Sequence, residues 1–98
     1  MSNLVLTRKA GQSVRLIIDG EPYYVIIGAV TGGSCEMSNL HPGRDGAIVE
    51  RVRFRDSMQI AEGVSVCVVD LAKGHAKLNF TAPRDVHILR TELIKEGI

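Results

Sequence analysis

The chain has 98 residues and a net charge of +1, which suits one small domain with a modest core. The near-neutral charge excludes a strongly basic, general nucleic-acid binder, so any RNA contact must come from a local patch. Only two tyrosines and two phenylalanines are present, which disfavours modules that stack bases on exposed aromatic platforms.

Apolar alternation and turn residues predict eight or nine short strands in chain order. The predicted strands cover residues 4–9, 13–18, 23–30, 34–39, 47–54, 57–60, 64–71, 76–80 and 86–89. A short helix is predicted over residues 91–96, with Thr91 as its N-cap. Short strands with turns about every ten residues are typical of an all-β sandwich or barrel.

Two segments of the chain resemble each other at a constant offset. The identical pairs are Glu21 and Glu62, Val25 and Val66, Gly33 and Gly74, and Pro42 and Pro83. One unit of this length cannot cover its own apolar face, whereas two related units can cover each other. We therefore predict a single domain, residues 1–98, with repeats over about 4–51 and 52–98 that share the strand 47–55. The alternative is two unrelated β-hairpins of similar length.

Residues 6–13, Leu-Thr-Arg-Lys-Ala-Gly-Gln-Ser, resemble the opening of the carbon storage regulator (CsrA/RsmA) family, in which Leu-Thr-Arg-Arg-x-Gly-Glu is typical. Residues 64–86 and Arg90 resemble the rest of that fold, with a Lys-Gly turn, an Ala-Pro turn and a last strand at the family's spacing. The resemblance implies an intertwined homodimer of five-stranded subunits, each with a C-terminal helix. It also implies that GGA-containing RNA binds between the first strand of one subunit and the last strand of the other.

The chain departs from the family by an extra segment in its middle. Residues 23–42 repeat the long strand, the glycine turn, the short strand and a proline turn. Residues 47–55 stand where the last strand of one repeat and the first strand of the next are both expected, and Arg51 falls where Arg90 falls. We expect a fused, single-chain pseudo-dimer with one composite site, built from residues 4–9 and 86–90. The alternative is an obligate dimer with an inserted strand pair.

Three cations carry the expected RNA site: Arg8, Lys9 and Arg90. Guanidinium groups offer forked donors to phosphate or guanine, and lysine offers a point charge. The complete set of expected RNA-binding residues is Leu6, Thr7, Arg8, Lys9, Arg84, Val86, His87, Leu89 and Arg90. Leu89 stands where the family often has histidine, so any contact made by that imidazole is absent. The alternative for Arg8 and Lys9 is a solvated strand end that discourages edge pairing.

The resemblance implies a sequence-selective, RNA-binding post-transcriptional regulator that binds a GGA motif in an mRNA leader or small RNA. It would control translation or mRNA stability without a cofactor. The alternative is a CsrA-like protein-interaction module that binds a protein antagonist or partner and has lost RNA binding. No catalytic or metal-ligand arrangement stands out in the sequence, so an enzyme is not expected. Arg51, Arg53 and Arg55 alternate along one strand and either extend a basic surface or form a solvated face.

The expected location is the cytoplasm. No apolar run approaches the ~20 residues of a membrane span, and the N-terminus lacks the pattern of a signal peptide. Cys35 and Cys67 each lie in a strand-like run. We expect reduced core thiols rather than a disulfide.

Overall fold

A computed structural model describes residues 2–72 and 74–90, and all the regular structure in these ranges is β-strand. The strands are β1 (Ser2–Lys9), β2 (Ser13–Ile18), β3 (Glu21–Val30), β4 (Ser34–Leu40), β5 (Ala47–Arg53), β6 (Ser57–Ala61), β7 (Val64–Ala72), β8 (His75–Ala82) and β9 (His87–Arg90). The prediction of an all-β fold is confirmed. The predicted helix over residues 91–96 lies outside the described residues.

The strands form two antiparallel sheets around one core. The order in sheet 1 is β1-β8-β7-β6, and the order in sheet 2 is β5-β4-β3-β2-β9. Buried and partly buried residues alternate along β2, as expected for strands with one face on the core. Both sheets supply the core, and its largest fully buried side chains include Leu16 and Ile27 from sheet 2 and Leu78 and Phe80 from sheet 1.

The two sheets have corresponding strands in the same order. Each sheet contains a three-stranded meander, β6-β7-β8 in sheet 1 and β2-β3-β4 in sheet 2. A strand of the other sheet leads into each meander by a short turn: β1 precedes β2, and β5 precedes β6. β1 pairs with β8, and β5 pairs with β4, the last strand of the other meander. β9 pairs with β2, and no described strand lies at the corresponding place beside β6.

The turn between β1 and β2 is fixed by backbone hydrogen bonds and a left-handed glycine. The Gly11 N–H donates to the Ile27 carbonyl oxygen at 2.7 Å, and the Gln12 N–H donates to the Lys9 carbonyl oxygen at 3.0 Å. Gly11 has φ +90°, a conformation that glycine adopts without the steric penalty of a side chain.

The turn between β5 and β6 has the same hydrogen bonds. The Arg55 N–H donates to the Val68 carbonyl oxygen at 2.7 Å, and the Asp56 N–H donates to the Arg53 carbonyl oxygen at 2.9 Å. Arg55 is also left-handed, with φ 72°, so it occupies the place of Gly11. β5 therefore corresponds to β1.

This correspondence corrects one sequence expectation. Residues 47–55 were expected to serve as both a last and a first strand, with Arg51 in the place of Arg90. Arg51 lies opposite Glu36, just as Thr7 lies opposite Lys77. Arg51 therefore corresponds to Thr7 and not to Arg90. β5 takes the place of a repeat's first strand and does not also take the place of a last strand. The division of the chain into two repeats stays a prediction.

Candidate nucleic-acid interface

β1 and β9 lie on the same side of the sandwich, although they belong to different sheets. β1 turns directly into β2, which pairs with β9 from Val14 opposite Arg90 to Ile17 opposite His87. β1 also pairs along its length with β8, from which a short turn leads into β9. β5 and β6 contact each other on the opposite side. We call these the β1–β9 side and the β5–β6 side.

Side chains on β1 alternate between the core and solvent. Leu6 and Arg8 are 3% and 4% exposed, whereas Thr7 and Lys9 are exposed. Arg8 lies opposite the small, buried Ala76. Of the two predicted cations on β1, Lys9 therefore presents its charge to solvent and Arg8 lies inside the sandwich.

The β9 half of the interface begins at the turn after β8. The Val86 N–H donates to the Pro83 carbonyl oxygen at 3.1 Å, and Val86 packs against the core together with Ile88. Arg84, His87 and Leu89 are exposed. The predicted lining residues thus divide into Val86, which supports the strand, and the exposed residues, which a ligand can contact.

Two shallow depressions lie on sheet 1. One, of about 340 Å³, lies at β6 and the start of β7, and the other, of about 210 Å³, lies beside Thr7 of β1. The smaller depression is lined by Thr7, Asp70, Ala72, His75 and Lys77. Its volume is below the ~300–1,000 Å³ of enclosed small-molecule pockets, so it suits a surface contact rather than an enclosed ligand.

This depression adds two residues that sequence reasoning missed. Lys77 lies opposite Thr7, and His75 lies opposite Lys9. The exposed ammonium groups of Lys9 and Lys77 therefore share one face of adjacent strands, with Asp70 at the rim. Their proximity depends on the register of β1 against β8, which the sequence alone does not give.

Neither cysteine forms a disulfide, and no metal site is present in the described ranges. Cys35 and Cys67 are free, and no group of three or more His, Cys, Asp or Glu among residues 2–72 and 74–90 could hold a metal ion. Burial has the largest effect and raises the pKa of the Cys35 thiol. The positive charge of Arg51 lowers this pKa by a smaller amount, and the negative charge of Glu36 raises it. The described chain also contains no helix long and apolar enough to cross a membrane.

Comparison with known proteins identifies the family. Residues 51–97 match CsrA, a global regulator protein family. A protein named translational regulator CsrA from Campylobacter jejuni is 42% identical over 41 residues, which cover 42% of this chain and 55% of that relative. One of the same name from Clostridium novyi is 42% identical over 49 residues, which cover 50% of this chain and 68% of the relative. The chain belongs to the CsrA family.

The CsrA match covers the second part of the chain, including β6 to β9. β1 lies outside the range matched by the family, and its assignment to the interface rests on the residues 6–9 and on its position. The chain aligns with little more than half of the Campylobacter CsrA and about two thirds of the Clostridium CsrA. No solved structure matches the chain significantly.

Proposed function

We propose that this CsrA-family protein is an RNA-binding post-transcriptional regulator. It binds a GGA motif in an mRNA leader or small RNA, in a hairpin loop, and thereby controls translation or mRNA stability in the cytoplasm. The observation that carries the proposal is the position of β1 and β9. These strands resemble the two halves of the family's RNA site, and one chain brings both to the same side of its sandwich.

Two kinds of contact would hold the RNA at this side. Lys9 supplies a solvent-facing charge for phosphate, and such contacts position the RNA without selecting its sequence. Backbone N–H and C=O groups at the outer edges of terminal strands are available to partners and would select base edges. The exposed Leu89 side chain would pack against a base. Arg8, because it is buried, would hold β1 in place rather than meet the RNA directly.

The proposal includes one RNA site per chain. A second site of the same kind would need a counterpart of β9 beside β6, and the described residues provide no such strand. We therefore propose a single-chain pseudo-dimer. A monomer with one site cannot bind two GGA motifs at once, so it lacks the gain in affinity that linked sites provide.

A gel-shift titration with a GGA-loop hairpin tests the proposal. Wild type should prefer this hairpin over one whose loop lacks GGA. Lys9→Ala, Leu89→Ala and Arg90→Ala should each weaken binding by about 1–3 kcal/mol, or about 5- to 150-fold, if these residues contact bases or phosphate. Arg44→Ala is the matched control, because Arg44 lies in the loop before β5.

Equal binding to both hairpins would contradict the proposal, as would variants that all bind like wild type. In that case the protein-interaction alternative, with an antagonist or another protein partner, would gain support.

A further inference from the structure

The β5–β6 side carries an unusual concentration of arginine. Arg51, Arg53 and Arg55 alternate through the end of β5 and the following turn, and all three are exposed. Phe54 stands among them and is 44% exposed. Glu50 and Asp56 flank the segment, so the arginines exceed the neighbouring carboxylates by one along the chain. The cations and the aromatic ring therefore form one surface, which we call the arginine turn (residues 51–55).

The fold does not require these side chains. The β1–β2 turn has the same backbone hydrogen bonds, yet its sequence at the corresponding places is Thr7, Lys9, Ala10 and Gly11. The three arginines and Phe54 thus replace smaller or less extended side chains, whereas the buried Val52 stands at the place of the buried Arg8. The added guanidinium groups and the added ring must serve something other than the shape of the turn.

Arg55 and Phe54 are the clearest case. Arg55 adopts φ 72°, in the left-handed region that costs residues with a side chain some stability. Its guanidinium carbon lies 5.1 Å from the centre of the Phe54 ring, within the range of a cation–π contact. The pair presents a flat apolar surface and a cation together at an exposed turn.

Arg51 is held in one orientation by sheet 2. Its Nη1 donates to Ser34 Oγ at 3.1 Å, and its Nη2 lies 3.5 Å from Glu36 Oε2. Gly28 makes space for this carboxylate, because a Cβ at Gly28 would lie 2.6 Å from Glu36 Oε1. Glu36 offsets part of the charge of Arg51, so Arg53 and Arg55 are the main exposed cations of the surface.

We infer that the arginine turn binds single-stranded RNA flanking the GGA element, without sequence preference. Arg53 and Arg55 contact phosphates, and Phe54 with Arg55 stacks on a base; this inference rests on the proposed function. Single-strand-binding surfaces combine cations along the backbone with aromatic rings that stack on bases. A single strand of RNA supplies phosphates for the cations and bases for the exposed Phe54 and Arg55 pair in one ligand, so the observations favour RNA.

The test compares two RNAs with the full-length protein. One is the minimal GGA hairpin, and the other carries single-stranded flanks of about 16 nucleotides, the upper site size of small single-strand-binding folds. The variants are the double substitution Arg53→Ala with Arg55→Gly, and Phe54→Ala. Arg55→Gly restores the residue type that occupies the same place in the β1–β2 turn, so loss of folding does not explain its effect. Arg44→Ala is the control, about 20 Å away at the other end of β5.

The flanks should tighten wild-type binding about tenfold at low salt. The double variant should lose this gain, and its slope of log affinity against log salt should fall by about 1.4, or 0.7 for each lost phosphate contact. Phe54→Ala should lose at least fivefold on the flanked RNA. All variants and Arg44→Ala should bind the minimal hairpin like wild type.

Two outcomes separate the inference from the proposed function. If the minimal hairpin binds with GGA preference but the flanks add nothing, or the variants keep the gain, the inference is overturned and the proposed function stands. If the flanks bind through the arginine turn while GGA is ignored, the inference stands and the proposed function fails. Binding of an acidic protein at this surface, with no effect of the flanks, overturns the inference.

Discussion

The left-handed turn residue before β2 gives a sharp stability prediction, through Gly11→Ala. An added Cβ at Gly11 meets no heavy atom within 4 Å, and Gly11 has φ +90°, so the cost is confined to the backbone. The left-handed conformation costs about 1–2 kcal/mol for a residue with a side chain. Alanine also makes the unfolded chain less flexible than glycine does, and this effect offsets about 0.4–1 kcal/mol of the cost. The free energy of unfolding should therefore fall by about 1 kcal/mol.

Thermal and urea unfolding followed by far-ultraviolet circular dichroism measure this change. A loss of 1 kcal/mol lowers the Tm of a domain this size by about 4–8 °C. Gly32→Ala is the matched control, because its added Cβ also meets nothing within 4 Å and its φ is not left-handed. Gly32→Ala should be neutral or slightly stabilising. If both variants lose the same stability, or if Gly11→Ala loses none, the left-handed conformation of Gly11 is not the source of the cost.

Three further results are expected. Cys67 should react with a thiol reagent faster than Cys35, because Cys35 is buried and burial raises the pKa of its thiol; faster labelling of Cys35 would contradict this packing. A raised folded-state pKa gives stability that is fully present below the thiol's ordinary pKa and is lost as the pH rises through the raised value. As the pH rises above about 9, the urea midpoint of wild type should thus fall more than the urea midpoint of Cys35→Ala. Phe80→Ala should lower the free energy of unfolding by about 3–5 kcal/mol, because Phe80 is fully buried. A loss of less than about 1 kcal/mol in urea unfolding would contradict this core position.

Much of the strand pattern follows from the sequence because burial in a sheet has a period of two residues. The predicted strand 13–18 is the observed Ser13–Ile18. The burial of Arg8 follows from the same period, since Leu6 is also an inward residue. The period of two thus predicts an inward Arg8, whereas its charge and the family resemblance favour a surface role.

The position of β5 was harder to predict. Pairs such as Val25 and Val66 are 41 residues apart, whereas Gly11 and Arg55, which occupy the same place in their turns, are 44 apart. A comparison at one constant offset therefore aligns the later strands of the repeats and misses the relation of β1 to β5. The position of Lys77 opposite Thr7 likewise depends on cross-strand register.

We propose that one chain forms one complete RNA site from its own β1 and β9. Native mass spectrometry of the complex with a GGA-loop hairpin tests it most directly, because it counts chains and RNAs together. We expect a complex of one 10.7 kDa chain with one hairpin at micromolar concentration. A complex that always contains two chains would contradict it, because the site would then need strands from two subunits.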